Sequence, residues 1–254
     1  MLDARLVLDD GTLIEMRIGR RSSYRLRFGL PGDWRVAYED GVRRMMSEGE
    51  NAFYYITLYN ENYAHPAMPA GAEEGIRRGL YLLRTSTLAG KPRVQLLGSG
   101  SILREVLAAA ERLESEFAVA ADVWSATSFG ELRKDGLACD RWNLLHPTEA
   151  PRQPWVAQQL GGRGPIVAAT DFMRSYPDLI RNWVPARYTV LGTDGFGRSD
   201  TRVALRDFFE VDARYVTLAA LHSLVADGAL PAATLDSITA RLGIAADKPS
   251  PLAT

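Results

Sequence analysis

RVQLLGSGSILREVLAAAERLESEFAVAADVWSA, residues 93–126, decides the fold class. RVQLLG (93–98) is an apolar run of strand length. SGSILREVLAAAERLESEF then sets apolar residues at 102, 103, 106, 107, 110 and 113, the stripe of one helical face. VAADVWSA follows as a second strand. Strand, helix and strand in this order predict a βαβ unit with a right-handed crossover and parallel pairing. Working outward, TSFGELRKDG predicts a short helix and PIVAATD (165–171) a strand. FMRSYPDLIRNWV predicts a helix, and YTVLGTD (188–194) a further strand. TRVALRDFF, ARYVTLAALHSLVADG and LPAATLDSITARLG predict three closing helices. The fold class is α/β, a mostly parallel sheet flanked by helices.

Upstream the pattern changes. RLVLDDGTLIEMRI alternates as a hairpin does around Asp10-Gly11, and RRSSYRLRFGLPGDW keeps no period. Segment 1–38 carries seven arginines, offset by Asp3, Asp9, Asp10, Glu15 and Asp33, which dilute a nucleic-acid arm. In EDGVRRMMSEGE a helix is expected with Val42, Met45 and Met46 on one face and an end at Gly49. AFYYITLY (52–59), aromatic and β-branched, suits a strand buried on both faces. NENYAHPAMPAG, with Pro66, Pro69 and Gly71, reads as a connector. The expected division is therefore 1–38 as an atypical segment, 39–71 as the end of one domain with its linker, and 72–254 as a complete domain.

Composition removes several function classes. The 254 residues carry 30 basic and 31 acidic side chains, a net charge of −1, which argues against coating nucleic acid or an anionic membrane. No apolar run reaches the length of a membrane span. The opening MLDARLVLDDGTLIEM has acids where a signal peptide needs a basic stretch, so a cytoplasmic location is expected. The lone Cys139 allows no internal disulfide and no cysteine-built zinc site. Among the basic residues only Lys91, Lys134 and Lys248 are lysine.

Gly98, Ser99, Gly100 and Ser101 stand between a strand and a helix, where amides at a helix start can receive an anion. The third glycine of a dinucleotide fingerprint and the lysine of a P-loop are both missing, and a tight turn needs glycine for steric reasons anyway. Asp194-Gly195-Phe196-Gly197-Arg198-Ser199-Asp200 follows another strand, where binding loops gather in α/β sheets. Asp200 serves equally well as a helix cap. His65, His146 and His222 show no metal-ligand spacing, and no GxSxG elbow accompanies them, so no metal site is expected.

Several stretches in fixed order carry a resemblance: NENYAHPAMPAGAEEGIRRGLYLL, VQLLGSGSILREVLAAAE, DVWSATSFGELRKDG, RWNLLHPTEAPR, VLGTDGFGRSDTR, FFEVDARYVTLAAL and IAADKPSPLA. From about Asp40 to Thr254 the chain resembles the C-terminal part of the thiamine diphosphate-dependent decarboxylase component of the pyruvate dehydrogenase complex. The resemblance is to its homodimeric, bacterial, transketolase-like form. It implies a transketolase C-terminal-like domain over 72–254, preceded by a remnant of the pyrimidine-binding domain.

Family members decarboxylate pyruvate with thiamine diphosphate and Mg²⁺ and pass acetyl to lipoamide, toward acetyl-CoA. The GDG motif that holds metal and diphosphate has no match here, and the activating glutamate belongs upstream of Asp40. The resemblance thus implies a C-terminal fragment that binds no cofactor alone and is inactive alone. It implies as partners a second copy or the full-length component, and the dihydrolipoyl acyltransferase. The alternatives are a non-catalytic dimerisation module and a standalone small-molecule binder. Residues 1–38 do not continue the resemblance, and out-of-frame translation would account for their arginines. Asn60, Glu61, Asn62, Tyr63 and His65, at the end of AFYYITLY, are the candidates for a substrate channel. Gly98, Ser99, Gly100, Asp194, Arg198 and Asp200 are the strand-end loop candidates.

Overall fold

A computed structural model of the chain describes residues 2–7, 13–18, 32–57 and 64–253. The chain divides into two units, residues 1–68 and 69–254.

In the first unit, β1 (Leu2–Val7) pairs antiparallel with β2 (Leu13–Ile18). The register runs from Leu2 opposite Ile18 to Val7 opposite Leu13, the antiparallel pairing that the alternation predicts. The turn itself lies outside the described residues. Helix α1 (Gly32–Val42) starts well before the expected EDGVRRMM and runs into a π-helical turn at Arg43–Ser47, with Gly49 beyond it at φ +65°.

Two expectations are corrected here. The inner face of α1 is Asp33, Val36, Asp40 and Gly41, whereas Met46 is exposed. The face is set by Tyr54, whose hydroxyl donates to Asp40 Oδ2 at 2.5 Å and whose ring lies against Gly41. The strand expected at AFYYITLY is not formed over its described part, residues 52–57, and Phe53 and Tyr55 point into solvent at 88% and 86% exposure. A strand needs a partner for its ladder. Among the described residues of this unit, the two strands pair with each other.

The second unit is a five-stranded sheet in the order β3-β5-β4-β6-β7. Its strands are β3 (Leu80–Arg84), β4 (Arg93–Gly98), β5 (Ala120–Ala126), β6 (Ile166–Ala169) and β7 (Tyr188–Leu191). The last four run parallel, and β3 is an antiparallel edge. Helix α2 (Glu73–Arg78) leads into β3 through Gly79, which takes φ +97° at the helix end.

Helices cover both faces, so β4 and β5 are buried almost throughout. Along β4, Val94 and Leu96 face one core with Val106 and Leu113 of α3 (Leu103–Phe117) and Val216, Leu221 and Leu224 of α8 (Ala213–Ala226). Leu97 faces the other core, with Trp124, Phe129, Leu132, Val156, Leu160 and Ile180. Phe129 and Leu132 belong to α4 (Phe129–Leu145), and Val156 and Leu160 to α5 (Trp155–Leu160). Ser128 caps α4 by accepting from the Glu131 amide, which starts that helix where TSFGEL predicts.

Two expected helices are broken. FMRSYPDLIRNWV makes a four-residue helix, α6 (Ser175–Asp178), and a 3₁₀ turn at Arg181–Trp183. Its anchors are separate: Ile180 is buried in the core, while Trp183 packs on Gly136 and donates to Asp140 Oδ2 at 2.9 Å. LPAATLDSITARLG is interrupted at Ser237 (φ +54°), which redirects the chain so that Ile238 and Leu242 of α9 (Ile238–Leu242) reach the core. No helix among the described residues is long and apolar enough to cross a membrane.

Candidate functional site

The loops that leave the carboxyl ends of β4, β6 and β7 line one cleft of about 290 Å³. β4 contributes Ser101, β6 contributes Asp171, and β7 contributes Thr193, Gly195, Gly197 and Arg198. Helix α7 (Arg202–Phe208) adds Arg202 and Arg206 from successive turns. Ile102, Leu205, Phe209 and Val211 supply the apolar part of the lining.

Each wall is held by its own hydrogen bonds. Ser101 Oγ donates to Asp171 Oδ2 at 3.1 Å, joining the β4 and β6 loops. Thr193 Oγ1 donates to the Asp171 carbonyl at 2.7 Å, joining the β6 and β7 loops. Arg206 Nη1 donates to Glu105 Oε1 at 2.9 Å, and Glu105 Oε2 accepts from the Ala213 amide, so α7, α3 and α8 are tied together. The Arg198 guanidinium lies 4.1 Å from the centroid of the Phe208 ring. Asp171 Oδ1 is buried without a hydrogen-bond partner. The lining of the cleft therefore combines three arginines with hydroxyl and carboxylate side chains.

The strand-end candidates divide by role. Arg198 lines the cleft, together with its neighbours Gly195 and Gly197. Asp194 holds the loop: it accepts from the Arg174 amide at 2.8 Å, with Arg174 Nε 3.7 Å away. Asp200 accepts from the adjacent Thr201 amide, but the cap of α7 is Thr201, whose hydroxyl accepts from the Ala204 amide. Gly98 is a packing residue, because a Cβ there would lie 2.7 Å from Leu103 Cα. The Ser99 amide is spent on the Ala169 carbonyl, Gly100 takes φ +58°, and the serine that reaches the cleft is Ser101.

Of the substrate-channel candidates, Asn60, Glu61, Asn62 and Tyr63 lie outside the described residues. His65 sits beside Asp33, with Nε2 to Oδ1 at 3.9 Å, and meets the Trp34 ring edge-on. His146 stacks on Trp142 at 4.4 Å, and its Nδ1 is 2.8 Å from the Trp142 carbonyl, a local clasp at the end of α4. His222 is exposed on α8. No group of three or more histidine, cysteine, aspartate or glutamate side chains among the described residues could hold a metal ion.

Sequence reading missed Asp171, Thr193, Arg202 and Arg206. A signal for them was present: Asp171 ends one predicted strand and Thr193 is next to last in another, and arginines recur every fourth residue at 198, 202 and 206.

A second cavity, about 390 Å³, is lined by Arg78, Asp135, Cys139, Arg152 and neighbouring side chains. Arg78 donates to Asp135 Oδ1 and lies over the Trp155 ring, whose amide donates to Asp135 Oδ2. Burial, aided by Asp135, pushes the Cys139 thiol above its ordinary range, so this cysteine is not an activated nucleophile.

Comparison with known proteins adds the following. The family model described as transketolase-like TK C-terminal domain matches residues 79–212. The model described as pyruvate dehydrogenase E1 component middle domain matches residues 23–66, so the expectation that the resemblance stops before residue 39 is corrected for residues 23–38. The chain is 53% identical over 219 residues to a protein of Pseudomonas aeruginosa named pyruvate dehydrogenase E1 component, covering 85% of this chain and 25% of that one. It is 53% identical over 218 residues to the protein of the same name from Escherichia coli K12, covering 85% and 24%. The chain thus spans about a quarter of the length of the curated relatives it matches. A crystal structure of transketolase from Campylobacter jejuni shares 20% identity over 58% of this chain and 19% of that one, with a TM-score of 0.41.

Proposed function

The chain belongs to the transketolase-like C-terminal domain family, and from that premise we infer that it serves as the C-terminal portion of a pyruvate dehydrogenase decarboxylase component. The observation that carries the reading is the order of two matches in one chain: the middle-domain model at 23–66, then the C-terminal-domain model at 79–212. The parent reaction is oxidative decarboxylation of pyruvate and transfer of acetyl to the lipoyl group of the acyltransferase component, in the cytoplasm. The partner that completes this chain is a second copy or the full-length component.

The resemblance brings thiamine diphosphate and Mg²⁺ with it, and the described residues do not fit that pair. A magnesium-held diphosphate needs converging oxygen ligands, and no acidic or histidine cluster of that kind exists among them. The cleft has the opposite balance, its lining holding three arginines and the single carboxylate of Asp171. When bound in the family's enzymes, thiamine diphosphate serves as the electron sink for loss of CO₂. The part left to this chain is structural: its sheet and two cores form a rigid block, and its loops offer a rim of ordered polar groups.

A chimera tests the reading. Residues 69–254 of this chain replace the matching C-terminal segment of the Pseudomonas aeruginosa protein. The expected result is a folded protein that releases CO₂ from pyruvate with thiamine diphosphate and Mg²⁺, whereas the present chain alone releases none. A folded chimera without decarboxylation, or CO₂ release by the chain alone, overturns it.

A further inference from the structure

The loop after α4 returns to that helix and places Arg152 and Gln153 on the second cavity, of about 390 Å³. Asn143 clasps the Arg152 backbone at both of its polar groups. Its Oδ1 accepts from the Arg152 amide at 2.7 Å, and its Nδ2 donates to the Arg152 carbonyl at 3.0 Å. Gln158 Nε2 donates to the Gln153 carbonyl at 2.6 Å. Pro151 and Pro154 bracket the pair, and proline fixes its own φ and holds the residue before it extended. Two polar side chains are thus mounted on backbone with little freedom left to lose, which lowers the cost of binding.

Charge on the lining is matched at every position but one. Arg78 donates to Asp135 Oδ1 at 2.9 Å, and the Trp155 amide donates to Asp135 Oδ2 at 2.5 Å, so that pair is closed on itself. Cys139, a protonated thiol, adds no charge. Arg152 makes no ion pair among the described residues, and its guanidinium lies 4.1 Å from the centroid of the Trp142 ring. Attraction to the ring fixes the head group without supplying a counter-charge. One unmatched positive charge calls for one negative charge, and forked donors suit a carboxylate. Next to it in sequence, the Gln153 carboxamide has no hydrogen-bond partner among the described residues and offers donors and an acceptor together. A secondary amide, with one N–H and one carbonyl, answers both.

We propose that this cavity binds a carboxylate joined to a secondary amide, as in an N-acylated amino acid or the last residue of a peptide, the carboxylate on Arg152 and the amide on the Gln153 side chain. A volume of about 390 Å³ lies at the small end of ligand pockets and admits a molecule of this size. The proposal does not rest on the reading that the chimera tests, so either can fail alone.

The indole N–H signals of Trp142 and Trp155, in proton–nitrogen correlation spectra of the full chain, report on the cavity, because Arg152 lies over one ring and Arg78 over the other. N-acetylglycine is expected to shift them with half-saturation at about 1 mM. Acetate is expected to bind about tenfold more weakly, the worth of the missing amide hydrogen bonds, and N-methylacetamide to give no saturable shift. Arg152→Gln weakens both carboxylate probes about tenfold. Gln153→Met brings N-acetylglycine down to the level of acetate and spares acetate, which keeps the test decisive if Arg152→Gln lowers the thermal midpoint. Arg141→Gln, exposed on α4, changes nothing. An acetylated tripeptide ending in glycine separates the two sources: tighter binding than N-acetylglycine assigns the cavity to a peptide end, and equal or weaker binding to a free acylated amino acid. No saturable shift with N-acetylglycine at about 20 mM, equal affinity for acetate, or unchanged binding in the Arg152 and Gln153 variants each overturns the proposal.

Discussion

Gly98 ends β4 and Gly197 sits in the loop after β7, and alanine is expected to have opposite consequences at the two. At Gly98 the added methyl would lie 2.7 Å from both Cα and Cδ1 of Leu103. Carbon atoms in ordinary contact stay about 3.5–4.0 Å apart, so about 1 Å must be found. Leu103 Cδ1 can rotate away, but its Cα is backbone at the start of α3, and the whole helix must retreat. Val106, Ala109, Ala110 and Leu113 fix that helix in the core with no exposure, and a core at crystal-like density has no slack to receive it. Overpacking costs about 1–3 kcal/mol, and a backbone clash puts Gly98→Ala at about 3 kcal/mol. For a unit of this size each 1 kcal/mol moves Tm by about 2–4 °C, so a fall of about 6–12 °C is expected. Gly197 has nothing within 4 Å of the same position, and Gly197→Ala should leave Tm within about 2 °C. Thermal scans of the two variants beside the parent chain, with urea midpoints as a second measure, decide the matter. A Gly98→Ala protein that melts with the parent, or a Gly197→Ala protein that falls as far, would refute the packing role assigned to Gly98.

Asp122, 1% exposed, accepts from the Ser86 amide at 2.9 Å and from Arg93 Nη1 at 2.5 Å. Asp122→Ala should cost about 3 kcal/mol, because it strands a guanidinium and an amide, and Asp122→Ala with Arg93→Met should recover part of that in urea titrations. Burial, reinforced by Asp178, holds the Tyr188 phenol far above its ordinary range, while its hydroxyl donates to the Pro177 carbonyl. Its contribution is complete below the unfolded tyrosine pKa of about 10 and is lost as pH rises beyond it; phenolate absorbance should show one tyrosine that ionises only with unfolding. Cys139 should react slowly with a disulfide reagent at pH 8 and rapidly once urea exposes it; fast labelling of the folded chain would contradict its burial.

The fold was most legible where local pattern and burial agree. RVQLLG is β4 residue for residue, and the stripe from Ile102 to Leu113 is the buried side of α3, because a two-face-covered strand and an amphipathic helix both write their surroundings into periodicity. AFYYITLY misled because β propensity describes fitness for a half-buried surface, and no described strand offers Phe53 and Tyr55 such a surface. The helix around Pro177 and the one through Ser237 failed because distant packing, by Trp183 on Gly136 and by Ile238 in the core, outweighs a local pattern. The site was legible as two separate loops. That Ser101 and Arg198 share one cleft follows from strand order, which puts β4, β6 and β7 side by side. Periodicity carries no record of strand order, so Asp171, the residue that joins the walls, stayed hidden at the end of PIVAATD.

The sheet order also imposes a timetable. β4 gains its partner β5 soon after synthesis, but the other side of β4 belongs to β6, about 40 residues later. At ribosomal speeds of about 5–20 residues per second, that leaves this buried strand with a bare ladder for roughly 2–8 s. During this interval Leu96 and Leu97 sit beside unpaired amides and carbonyls, the situation in which nascent chains pair with the wrong neighbour. The intervening stretch forms α4, which starts from its own cap at Ser128 and can lay Phe129 and Leu132 over Leu97 before β6 emerges. The long helix is thus a temporary shelter as well as a connection, and truncations that end between it and β6 should be the ones most dependent on chaperones.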